Sequence, residues 1–179
     1  MKTGISIALA ALALALFAVP DAYGESGPDM SLRLSGSNFI TSSQPDGTPT
    51  PLGLVSTSLQ SGIAKGSGSP IFSSQTVIEM AGGDARCGGF LPGAGLSTTI
   101  VLTYNDGSIL SLTTDDEKSF YCFEQTSADP DPIAGIFFVE FEGTVTGGTG
   151  RFEGATGTWV GSAEAESSRV TADLEIDLD

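Results

Sequence analysis

Glu140 and Glu142 stand two residues apart in Ile136–Thr146, where Phe137, Val139, Phe141 and Val145 take alternate positions. In an extended strand both carboxylates therefore share one face. Turned into a dry interior, such a Glu gains proton affinity and can act as acid or base. Turned to water, it is an ordinary solvated charge. The apolar set at 137, 139, 141 and 145 claims the interior, so Glu140 is the one catalytic candidate and the solvated reading stands beside it. Asp129 with Asp131, and Asp115 with Asp116 and Glu117, carry oxygens suited to calcium. Neither an EF-hand spacing nor a glycine–aspartate repeat accompanies them, and no metal site is expected. The chain has no histidine, which excludes a Ser-His-Asp triad, a Cys-His pair and His-ligated zinc or haem. No cofactor is expected.

The two cysteines, Cys87 and Cys122, read as a disulfide, because neither has a CxxC partner or a histidine to activate it. The bridge would tie the glycine-rich Ala81–Gly95 to the aromatic strand at Phe120–Phe123. An oxidising compartment is consistent with the N-terminus. Lys2 precedes the uncharged Ala/Leu run Ile5–Val19, Pro20 breaks it, and Ala22-Tyr23-Gly24 ends in small residues. These are the parts of a cleavable signal peptide over 1–24, and the run is too short to span a bilayer comfortably. Residues 25–179 are expected to form one secreted or periplasmic domain, with no membrane attachment after cleavage. The formal net charge of −15 makes nucleic acid and anionic lipid poor partners.

The elements that position these groups are strands. Leu32 and Leu34 alternate with serines and Arg33 over Ser31–Ser35, Thr41–Pro51 reads as a loop, and Leu52–Ala64 and Ile71–Met80 follow as strands. Thr98–Tyr104 and Ser108–Thr114 flank the turn Asn105-Asp106-Gly107. Phe120–Gln125, Ile136–Thr146 and Thr158–Ala165 come next. Over Arg169–Asp179, Val170, Ala172, Leu174, Ile176 and Leu178 alternate strictly with polar residues, the pattern of a strand with one buried face. The fold class is all-β. A single antiparallel barrel of about eight strands would leave no open edge, and a β-sandwich or jelly roll is the alternative. Phe137 and Phe138 are adjacent and point to opposite faces, so one leaves the main interior, a hint of a homo-oligomer.

Between the last strong strands lies Thr146-Gly147-Gly148-Thr149-Gly150-Arg151-Phe152-Glu153-Gly154-Ala155-Thr156-Gly157. Gly147, Gly148 and Gly150 permit a tight connection, Phe152 can plug a barrel end, and Gly154 and Gly157 allow close backbone approach. The stretch reads as the hairpin that closes the barrel. The β-rich sequence after it does not suit a phosphate-binding loop. It closely resembles the glycine motif of plant allene oxide cyclases and is similar to the shorter GGTG-x-F motif of dirigent proteins. Both families share an eight-stranded antiparallel barrel. The likeness is tight over these twelve residues, loose over Thr98–Leu178, and does not reach Glu25–Gly95. It implies a lumen that takes a lipophilic guest. The cyclases use a carboxylate on the first strand, where Ser31–Ser35 offers Arg33 and no acid, so no catalytic residue is carried over.

The reading is thus a non-catalytic binding or guiding module for a small lipophilic or aromatic ligand. A cyclase or isomerase using a buried carboxylate, and a structural extracellular protein with a filled barrel, are the alternatives.

Overall fold

The alternation over Arg169–Leu178 does form a strand, with Val170, Ala172, Leu174 and Ile176 buried in a barrel and Leu178 partly buried at its end. The structure is a computed structural model that describes residues 29–43, 55–79, 91–92, 94–125, 135–166 and 168–179. The expected leader, Cys87, Asp129 and Asp131 lie outside them. The strands are β1 (Met30–Ser43), β2 (Val55–Gly66), β3 (Ile71–Glu79), β4 (Leu91–Pro92), β5 (Ala94–Thr103), β6 (Ile109–Thr114), β7 (Phe120–Gln125), β8 (Gly135–Thr149), β9 (Gly157–Ala165) and β10 (Arg169–Leu178).

Eight of these close an antiparallel barrel, with β7 outside the cycle. The pairing follows the chain: β1–β2, β2–β3, β3–β5, β5–β6, β6–β8, β8–β9 and β9–β10, closed by β10 on β1. Each strand of the cycle pairs with the next and the first pairs with the last, so every edge of the cycle is paired. β7 runs on from β6 along β8: Thr114 pairs with Gly143 and Phe120 with Glu140. The turn between them is pinned to β8, the Asp115 amide donating to the Glu142 carbonyl and the Ser119 hydroxyl to the same oxygen. The two-residue β4 pairs with β7.

Three expectations are corrected. β1 is longer than Ser31–Ser35 and takes in residues 41–43, which the three prolines of Thr41–Pro51 had assigned to a loop. The prolines begin only at Pro45, so nothing upstream stops pairing with β2. The glycine motif does not close the barrel; β1 and β10 do, and the motif turns β8 into its neighbour β9. Within it, Gly154 serves conformation rather than close approach. Its φ is +76° and a Cβ there would meet nothing, whereas a Cβ at Gly157 would fall on the Asp177 carbonyl of β10.

The interior divides into two halves. At one end the motif's single 3-10 turn, Gly150–Phe152, folds Phe152 over the barrel. Its ring lies 5.0 Å from that of Tyr104, with the Arg151 guanidinium 4.2 Å above Tyr104 and held by Asp106 at 3.5 Å. Leu102, Leu110, Leu112, Trp159, Leu174 and Ile176 fill the space beneath, each essentially without solvent exposure. The other half, at the end from which residues 44–54, 80–90 and 126–134 depart, is packed differently.

Candidate functional site in the open half of the lumen

Inward positions on three consecutive strands of this half mix polar groups with the apolar Phe72, Ile78 and Ile100. β2 contributes Ser58 and Gln60, β3 contributes Ser74 and Thr76, and β5 contributes Thr98. They form a hydrogen-bonded wall. The Ser74 hydroxyl donates to Gln60 Oε1 at 2.5 Å, and the Thr98 hydroxyl donates to Thr76 Oγ1 at 3.1 Å. The Thr98 amide donates to Thr114 Oγ1 at 2.8 Å. Buried hydroxyls paired in this way avoid most of the cost of leaving water.

Across the lumen the wall is apolar: Phe137, Val139 and Phe141 from β8, Ala163 and Ala165 from β9, Val170 and Ala172 from β10. The three alanines stand where Leu174, Ile176 and Trp159 fill the other half, so side-chain volume falls short here. A cavity of about 40 Å³ remains between the walls. That is room for about three waters, and well short of the ~150 Å³ that admits benzene in an engineered protein core.

Asn38 on β1 faces inward beside Gln60, its partner in register. Its amide Nδ2 donates to the Glu166 carbonyl at 2.6 Å and its backbone amide to the Ser168 carbonyl at 3.0 Å, which anchors the β9–β10 turn. Asn38 Oδ1 is buried with no hydrogen-bond partner. A buried acceptor without a donor costs about 1–3 kcal/mol; Asn38 is not among the residues that line the cavity.

None of the residues that line the cavity is Asp, Glu, Lys or Arg. Glu140 is exposed on the outer face of β8 and does not reach the cavity. Glu142 is also outside, accepting a hydrogen bond from Lys118 Nζ at 2.7 Å. Asp115, Asp116 and Glu117 lie in the β6–β7 turn, and no acidic cluster among the described residues has the form of a metal site. Of the motif, Phe152 is part of the closed end, far along the barrel from the cavity. Cys122 is buried on β7 and is not a free thiol.

The ionisable groups inside are phenols. Desolvation pushes Tyr121 well above the ordinary phenol range. Tyr104 is raised by desolvation too, opposed by the Arg151 charge and hydrogen bond. A phenol raised on folding binds its proton more tightly in the native state than in the unfolded chain. The sign follows: stability is intact below about pH 10 and falls as pH climbs through the folded values. In an alkaline titration, tyrosinate absorbance of Tyr104 and Tyr121 should therefore rise together with the loss of native circular dichroism. Ionisation at ordinary phenol pH with the fold intact would contradict the burial assigned to them.

The polar wall was missed in the sequence because Ser, Thr and Gln at strand positions read as solvent-facing. The only signal was indirect: Leu59 and Ile63 on β2 alternate with them. Comparison adds nothing to this geometry, for no protein-family model, no curated protein and no solved structure matches the chain.

Proposed function

We propose that the protein is an exported, non-catalytic binding module. It takes a small neutral amphipathic molecule, or the narrow end of a larger lipophile, in the open half of its lumen. The leader-like residues 1–24 and the Cys87–Cys122 bridge belong to the same reading. The observation that carries it is a mostly apolar lining in which all the polar groups, the hydroxyls of Ser58, Ser74, Thr76 and Thr98 and the Gln60 amide, sit together on β2, β3 and β5, opposite alanines, valines and phenylalanines on β8, β9 and β10. Binding sites take this form, mostly apolar with a few fixed polar groups that orient the guest. An uncharged lining favours a neutral guest, since an ion would enter without a counter-charge. The resemblance to allene oxide cyclases and dirigent proteins supports a lumenal guest. No acid is among the residues that line the cavity, which supports guidance or carriage over acid–base turnover.

The second reading, a structural protein with a filled barrel, is favoured by the cavity's size of about 40 Å³. Methyl-resolved NMR with 1-butanol as probe separates the two. The binding reading expects saturable shifts at Val139, Val170 and Ala172 and none at Leu102, Leu110 or Leu112. It expects Ala172→Leu, which fills the cavity, to weaken the probe tenfold or more, a loss of about 1.4 kcal/mol. No saturable shift in either half would leave the filled barrel.

A further inference from the structure

The outward residues of the barrel carry charge very unevenly. On β8, β9 and β10 they include Glu140, Glu142, Glu164, Asp173, Glu175 and Asp177. β3 ends on Glu79, but over residues 31–39 of β1, 57–66 of β2, 71–77 of β3, 97–103 of β5 and 109–114 of β6 the outward side chains include no acid. Their charges are Arg33 and Lys65, which pair with one another in register near one end. In a chain of formal net charge −15, that side is the part of the barrel wall another acidic surface approaches with least repulsion.

The same side exposes large apolar groups. Phe39, Leu59, Ile63 and Ile71 are each at least half exposed. They are register neighbours: Phe39 pairs with Leu59 across β1–β2, and Ile63 with Ile71 across β2–β3. Serines and threonines fill the positions between them, so the surface is uncharged and low in relief.

We propose that the outer face of β1, β2 and β3 is a homodimer interface, occupied by the same face of a second copy of this chain. Charge selects that partner and that face: two copies meeting through β8–β10 would set rows of carboxylates against each other, while two meeting through β2 would not. Leu59 and Ile63 lie symmetrically about Ser61, so a two-fold axis near it buries the same four side chains from each copy. From strand spacing and rise, the face offers about 500 Å² per copy. The resulting total of about 1,000 Å² is at the lower bound for a specific interface and suits a reversible dimer. The inference is independent of what the lumen holds.

Sedimentation velocity of the purified chain over about 1 µM to 1 mM tests it. A reversible monomer–dimer equilibrium is expected, tightening as added salt screens the net charge. Ile63→Asp should weaken the dimer tenfold or more, and Leu59→Ser should weaken it in the same direction with less risk to folding. Val160→Asp, at an exposed apolar position on the acidic side, should leave it unchanged. A monomer across the whole range overturns the proposal. So does a dimer that both Ile63→Asp and Leu59→Ser, folded by circular dichroism, leave at full strength.

Discussion

Trp159→Ala should destabilise the barrel by about 3–5 kcal/mol and lower its melting temperature by roughly 10 °C. Trp159 is 1% exposed on β9 and reaches across β8 to β6. Its ring lies 5.7 Å from that of Phe141, and its Nε1–H donates to the Thr113 carbonyl at 3.2 Å. It crosses at Gly143, its register partner, where a Cβ would stand 2.6 Å from the indole nitrogen. One side chain on β9 thus packs against two further strands, β8 and β6. Trp159→Phe should cost less than the Ala change, since the ring is kept and the bond to Thr113 is lost. Urea unfolding of the two variants checks this. A Trp159→Ala midpoint within experimental error of wild type would mean that the closed end of the lumen is not packed as described.

Removal of the proposed Cys87–Cys122 bridge should have a comparable effect. Closing a loop of that length stabilises a fold by about 4 kcal/mol in the chain-entropy account. The double change Cys87→Ala with Cys122→Ala avoids a reactive thiol and should shift the guanidinium midpoint by the same amount as reductant shifts wild type. Identical midpoints with and without reductant, or alkylation of both thiols in the oxidised protein, would remove the bridge. Cys122 lies on β7, the strand outside the eight-membered cycle, so the barrel proper should outlast reduction. Native hydrogen exchange should loosen at β7 before it loosens at β1 and β10.

The same asymmetry that suggests function decides what the sequence could show. β10 was legible because its inner face is apolar and its outer face polar at every step from Arg169 to Asp177. β8 was legible for the same reason, and the split of Phe137 from Phe138 holds, the first buried and the second partly exposed. The glycine motif announced a turn, and its Phe152 does plug an end. β2 reads inside out. Its inward residues are Ser58, Gln60, Gly62 and Ala64, and its outward ones include Leu59 and Ile63. Alternation fixes the period of a strand but not which face is buried, and the usual assumption that apolar means inside fails here. The candidate site was therefore invisible from residue types alone. Its polar wall resembled surface, and the apolar side chains opposite that surface resembled core. Local rules tend to fail in this way at functional positions.

That inversion is what the binding account explains: polar groups held inside, where a filled barrel would have used leucine. Native mass spectrometry of the protein purified from its own host tests it most directly. The account predicts a small neutral molecule that survives gentle desolvation, leaves on unfolding, and is absent from Ala172→Leu prepared in the same way. Repeated preparations showing only the bare chain would contradict it.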